Sequence, residues 1–88
     1  MIHIFEDYYI IGDEKCYELA KKTTSVSKST GKIKYSPIGY YTTIEELVKG
    51  FIKYMGRRYI SNEKEQTLNE LKTYQENLYK TIEKNIGL

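Results

Sequence analysis

The residue types that carry catalysis or bind metals are few in this chain, and they are scattered. His3 is the only histidine and Cys16 the only cysteine, so a Cys/His metal cluster cannot form within one chain. To act as a nucleophile, Cys16 would need a basic partner, which His3 could supply only across a hairpin. A buried strand cysteine is the simpler interpretation. We therefore predict no catalytic residue, no metal site and no cofactor.

Two adjacent carboxylate pairs, Glu6-Asp7 and Glu45-Glu46, have the residue type for acid–base chemistry. That chemistry needs a pocket that shifts pKa values, and a chain of 88 residues buries too little surface to favour a deep, enclosed site. The second pair has a structural explanation, because Thr43 and Glu46 have the spacing of a helix capping box. We therefore expect a protein that is not an enzyme.

The cationic residues form a clearer pattern on the helix that follows Thr43. Three of them recur at four-residue intervals and so lie on one side of that helix. The stripe and the residues at its end are Lys49, Lys53, Arg57, Arg58 and Tyr59. No acidic residue occurs from position 47 to 62. The stripe could contact nucleic-acid phosphates or an acidic protein surface, or it could be an ordinary solvated helix face.

The segment before Thr43 has the alternation and turn residues of β-strands. Strands are predicted at 4–11, 15–24 and 32–41. Gly12-Asp13-Glu14 is a turn signal, and the Ser/Thr-rich stretch 25–31 predicts a hairpin loop. Alternation in the middle strand separates the face of Tyr17 and Leu19 from that of Glu18 and Ala20, but it does not say which face is covered.

A first helix is predicted at 44–58, with the strongest periodic signal in the chain. Its apolar residues form one stripe that must be buried, most simply against the sheet. They are Ile44, Leu47, Val48, Phe51, Ile52 and Met55. Gly50 lies on the polar side, where it would let another surface approach closely.

A second, longer helix is predicted at 62–86, with Asn62 as its cap. Its apolar positions form a narrow seam typical of self-association, flanked by Tyr74 and Tyr79. The seam consists of Leu68, Leu71, Leu78 and Ile82. Such a helix would be about 37 Å long, more than a domain of this size can cover. We therefore predict a second copy or another protein against it; the alternative is a helix that bends near Gln75 and lies on its own domain.

Composition narrows the class of protein further. The chain has ten tyrosines and no tryptophan, which suits interfaces as well as cores. Its net charge of +2 does not by itself indicate nucleic acid, although residues 15–34 are strongly basic. One cysteine excludes an internal disulfide and favours a reducing cytoplasm. We expect neither a membrane span nor a signal peptide, and hence the cytoplasm of a bacterial host.

Three stretches together resemble small, mostly uncharacterised proteins of phages and integrated elements in low-GC bacteria. They are 5–19, 38–43 and 44–48, with Gly-Tyr-Tyr leading through threonine into a helix. The resemblance implies a non-enzymatic protein, and inhibition of a host defence complex as one function of such proteins. It supplies no site residue.

The sequence thus predicts one α+β domain over 1–88. Residues 1–42 would form a three-stranded antiparallel sheet, 43–59 one amphipathic packing helix and 62–86 a longer C-terminal helix. The leading functional hypothesis is a protein-binding module, for example an inhibitor of a bacterial defence complex. One alternative is a dimeric nucleic-acid-binding regulator, and another is an oligomerising assembly protein. The predicted partner contacts are Lys49, Lys53, Arg57, Arg58, Tyr59, Tyr74 and Tyr79.

Overall fold

The computed structural model describes residues 1–29, 31–61 and 64–87, and it confirms the α+β class. Four antiparallel strands in the order β1-β2-β3-β4 precede two helices. The strands are β1 (Ile2–Phe5), β2 (Tyr8–Gly12), β3 (Tyr17–Val26) and β4 (Ile33–Tyr41). The helices are α1 (Ile44–Ile60) and α2 (Leu68–Ile86).

The predicted first strand at 4–11 is wrong, because the chain reverses within it to make β1 and β2. The reversal occurs at Glu6, whose φ of 47° lies in the left-handed region that non-glycine residues seldom adopt. The Nε2 of His3 donates a hydrogen bond to the Glu6 carbonyl and holds this turn. A three-stranded sheet therefore becomes four-stranded, and no glycine or asparagine marks the turn in the sequence.

Both helices pack on one face of the sheet, and the core lies between them and that face. The sheet contributes Ile4, Tyr8, Ile10 and Leu19. The helices contribute Leu47, Val48, Phe51, Met55, Leu78 and Ile82. The predicted apolar stripe of the first helix is thus confirmed, because four of its six residues are buried and the other two pack against the core.

The N-terminus of α1 has the predicted cap. The Thr43 hydroxyl accepts a hydrogen bond from the Glu46 amide at 3.1 Å. The Glu46 carboxylate accepts from the Thr42 hydroxyl at 2.9 Å instead of reaching back to the Thr43 amide. The helix runs two residues beyond the predicted end at 58, so its last turn carries both arginines.

The second helix begins six residues later than predicted. Thr67 caps it by accepting from the Glu70 amide at 3.1 Å, so the capping residue is a threonine three positions before a glutamate, as in α1. The predicted cap at Asn62 lies outside the described residues. With 19 residues, α2 is about 28 Å long, close to the length of α1, so the predicted excess of length is wrong.

The α2 helix packs against α1 and β1, which places much of the predicted seam inside the chain's own core. Leu78 is 4% and Ile82 0% exposed. Asn85 Nδ2 donates to the Ile4 carbonyl at 3.0 Å, where the β1–β2 register is interrupted. Gly56 lets the two helices approach closely, since a Cβ at this position would lie only 2.5 Å from Gln75 Nε2.

The prediction that the chain self-associates through the complete seam therefore needs correction. Leu78 and Ile82 are occupied within the chain, Leu71 is half-buried, and only Leu68 is strongly exposed, at 85%. A dimer through all four residues would need the core to open. No helix in the described part of the chain is long and apolar enough to cross a membrane.

Candidate functional site

The second face of the sheet, away from both helices, carries the most distinctive group of side chains. Paired residues of antiparallel strands lie on the same face, and the register places Tyr9, Ala20 and Pro37 in one row. Ala20 is 0% exposed yet is not part of the helix-covered core, so its neighbours on this second face must cover it. The open face is defined by Tyr9, Ile11, Glu18, Ala20, Lys22, Tyr35, Pro37 and Tyr40.

Aromatic rings dominate the open face. Tyr9 and Tyr35 meet edge to face with ring centroids 5.6 Å apart, and His3 lies 5.0 Å from Tyr9 on its other side. Tyr9 and Tyr35 are half-buried, whereas Tyr40 is 60% exposed. The result is a ring-lined surface that no helix covers in the described structure.

Tyr40 has an acidic cross-strand neighbour. Glu18 pairs with Tyr40 in the β3–β4 register. The Glu18 carboxylate, as a hydrogen-bond acceptor and as a negative charge, raises the pKa of the Tyr40 phenol. Tyr40 is therefore an exposed, neutral ring.

The β3–β4 hairpin projects beyond the rest of the sheet as an arm, defined as residues 22–29 and 31–36. The last β2 pairing is Tyr8 with Lys21, so beyond that point the hairpin has only two strands. Thr23 Oγ1 donates to the Lys34 carbonyl at 2.8 Å, and the Ser27 amide donates to the Lys32 carbonyl at 2.8 Å. Lys22 lies on the open face because it pairs with Tyr35, whereas Lys34, which precedes Tyr35 in β4, lies on the other face of the arm.

Positive and negative charges are concentrated in different segments of the chain. Residues 19–62 contain nine lysines and arginines against two glutamates, and the remaining residues contain five against ten acidic groups. The basic segment forms most of β3, all of β4 and α1, and α1 packs directly against those two strands. The fold therefore places the basic residues of the hairpin and of α1 on adjoining elements, and the net charge of +2 understates the charge of this basic segment.

The predicted stripe on α1 is exposed and adjoins a groove. Lys49, Lys53 and Arg57 line it together with Tyr41, Glu46 and Gly50, and its volume is about 490 Å³. The prediction that Gly50 permits a close approach is confirmed, because a Cβ there would lie 2.3 Å from the Tyr41 hydroxyl. The approaching group is this chain's own tyrosine ring, which also lines the groove.

Arg58, also a predicted partner contact, bonds within the chain. Its Nη1 donates a hydrogen bond to the hydroxyl of Tyr8, and its guanidinium lies 6.0 Å from the centroid of the Tyr54 ring. Burial and a hydrogen bond with Tyr54 raise the pKa of Tyr8 to about 12. Arg58 thus joins the end of α1 to β2.

A pH dependence of stability follows from Tyr8. Its pKa is about 12 in the folded chain and about 10 in an unfolded one, so its contribution is complete below pH 10 and is lost as pH rises towards 12. At 1.36 kcal/mol per unit, the loss is roughly 2–3 kcal/mol. Urea unfolding of the wild type and Tyr8→Phe should show a stability gap that narrows above pH 10. A gap that stays constant would contradict this assignment.

The remaining predicted contacts are divided among different surroundings. Tyr59 and Tyr74 stack on each other, with centroids 4.3 Å apart and planes 8° apart, so they join α1 to α2. Tyr79 is 43% exposed and lines an open groove with Glu45, Val48 and Lys49. The structure therefore brings Lys49, Lys53 and Arg57 together and places Tyr79 beside Lys49, whereas Tyr59 and Tyr74 lie where the two helices meet.

Cys16 does not have the surroundings of a nucleophile. Partial burial raises the pKa of its thiol, and the carboxylates of Asp13 and Glu18 raise it further. His3 pairs with Tyr9, and Cys16 is next to Tyr17, which pairs with Gly12. Because Tyr9 and Gly12 are three residues apart on β2, His3 and Cys16 are about 10 Å apart along the sheet. Among the described residues, no group of three or more His, Cys, Asp or Glu side chains is arranged to hold a metal ion.

The open face was missed by the sequence analysis, although part of its signal was present. Glu18, Ala20 and Lys22 are on one face of β3 by alternation, and Tyr9, Tyr35 and Tyr40 join them only through strand pairing. Comparison with known proteins adds nothing to this picture: no family model, curated protein or solved structure matches the chain.

Proposed function

We propose that this chain is a non-enzymatic binding protein whose partner is a nucleic acid. The observation that supports this most is the concentration of nine basic residues against two acidic ones in the segment that builds β3, β4 and α1. A surface of that kind attracts a polyanion and releases its counterions on binding. The proposal does not need a dimer.

The composition of the basic segment, residues 19–62, favours nucleic acid over protein. Five of its nine cations are lysines of the β3–β4 hairpin, which has no arginine. Lysine is depleted at protein–protein interfaces, where arginine is enriched, whereas lysine serves well as a point charge for phosphate. Lys28 and Lys34 are exposed on the arm, where a backbone of phosphates can reach them.

Charge reversal on the arm tests this function. We expect Lys28→Glu/Lys34→Glu to weaken binding to a labelled oligonucleotide by about tenfold or more at low salt, measured by fluorescence anisotropy. The slope of log affinity against log salt should become shallower for every phosphate that the variant no longer neutralises, by about 0.9 on a duplex or about 0.7 on a single strand.

The matched control is Lys72→Glu/Lys80→Glu, which makes the same change of charge on the exposed side of α2. It should bind nearly as well as the wild type. Equal weakening by both variants would show that net charge alone matters. Absence of binding by the wild type at low salt would eliminate the proposal.

A second candidate function is capture of a protein, which includes inhibition of a bacterial defence complex by a phage- or element-encoded protein. The observation that favours it is the groove lined by the Tyr41 ring and by three cations against one carboxylate, that of Glu46. Such a lining suits an acidic segment with an apolar side chain. Loss of a partner captured from a bacterial lysate on Lys53→Glu/Arg57→Glu, with oligonucleotide binding retained, would support this function.

A further inference from the structure

From the geometry of the open face, we infer that it binds single-stranded nucleic acid by stacking bases on Tyr40 and on the Tyr9–Tyr35 pair. The inference rests on the proposed function and names the form of nucleic acid and the residues that contact its bases. Lys22, at the base of the arm, would then hold a phosphate beside the Tyr9–Tyr35 pair.

The rings are placed where a strand crossing the sheet would meet them. Tyr35 and Tyr40 lie on β4, five residues and so about 16 Å apart along the strand, and Tyr9 lies against Tyr35. That separation exceeds the rise of about 3.4 Å between bases stacked in one strand of a duplex. A bound strand would therefore have its bases splayed, as in recognition of unpaired RNA by four-stranded sheets.

The charge beside the rings indicates the occupant. Lys22 pairs with Tyr35 at the base of the arm, so a cation lies beside the ring pair on the open face, whereas Lys34, next to Tyr35 in β4, lies on the opposite face of the arm. Aromatic rings beside a cationic groove are how proteins bind unpaired strands, since every base has a π face. A duplex keeps its base faces stacked inside, so the open-face rings could not contribute to binding it.

Among the residues that define the open face, Glu18 is the acidic one. It pairs directly with Tyr40, so its negative charge lies at the Tyr40 end of the face, away from the Lys22–Tyr35 pair. Phosphates should therefore run along the arm side of the face, with the bases turned towards Glu18 and Tyr40.

The test compares Tyr40→Leu with Tyr79→Leu, its control on α2. Leucine removes the π face but keeps apolar area, and both tyrosines are exposed, at 60% and 43%, so both variants should fold. Affinities are measured by anisotropy for oligo(dT), oligo(U) and a mixed-sequence duplex; the first two separate DNA from RNA. Because the chain has no tryptophan, quenching of tyrosine fluorescence on binding reports stacking in the wild type.

We expect tighter binding to a single strand than to the duplex, with tyrosine quenching. Tyr40→Leu should weaken single-strand binding by about 5- to 150-fold, while its duplex binding and the control are unchanged. Unchanged single-strand binding by Tyr40→Leu without quenching in the wild type would overturn base stacking and leave the proposed function standing. Binding to neither form would overturn both, and equally tight binding to an acidic polypeptide would overturn the choice of nucleic acid.

Discussion

Replacing Phe51 with alanine is expected to lower the free energy of unfolding by about 3–5 kcal/mol, the range for removal of a buried aromatic ring. Phe51 is 0% exposed and lies at the centre of the core. Its ring centroid is 4.9 Å from that of Tyr8 and 6.4 Å from that of Phe5, so it joins α1 to β1 and β2. A domain of this length has a total stability of about 4–13 kcal/mol, and the variant would be partly or wholly unfolded.

Urea unfolding followed by circular dichroism measures the change, provided that the slope with denaturant stays constant. The control is Lys53→Ala, two residues along the same helix and exposed, which should change stability by no more than about 0.5 kcal/mol. If Phe51→Ala were as mild as this control, the helix-covered core described above would be wrong.

Leu78→Ala is expected to lower the free energy of unfolding by about 2–5 kcal/mol. Leu68→Ala should change it by no more than about 0.5 kcal/mol. Both leucines belong to the seam that the sequence assigns to self-association, but Leu78 is 4% and Leu68 85% exposed. The difference between these two substitutions measures how far α2 packs on its own chain.

A dimer seam would give another result. Stability would then rise with protein concentration, because association binds only the folded state, and sedimentation would show that Leu78→Ala dissociates a dimer. We expect a midpoint of unfolding that is independent of concentration. Concentration dependence that is lost in both leucine variants would restore the seam as an interface.

The two candidate interfaces lie on opposite faces of the sheet. The stripe of Lys49, Lys53 and Arg57 is on α1, which covers one face of the sheet, and the tyrosines of the open face are on the other. The arm extends the sheet beyond both. Separate variants on α1, the arm and the open face can therefore assign each function to its own surface.

Local chemistry was enough to predict a good part of this structure from the sequence. The cap at Thr43, the apolar stripe around Phe51 and the close approach at Gly50 follow from helix geometry and residue size, and each is confirmed. The turn at Glu6 escaped prediction because a residue that disfavours positive φ occupies it. The Thr67–Glu70 cap had a visible signal, but the earlier Ser61-Asn62 pair competed with it.

By itself the sequence determined the α+β class, the position of α1 and the basic character of the segment around it, because these depend on neighbours in the chain. Only the tertiary structure decided which face of the sheet the helices cover. Tyrosine suits a buried core and an exposed surface equally well, so alternation alone could not separate buried Tyr8 from exposed Tyr40. Strand pairing and helix packing, which join distant residues, made that choice and assembled the open face.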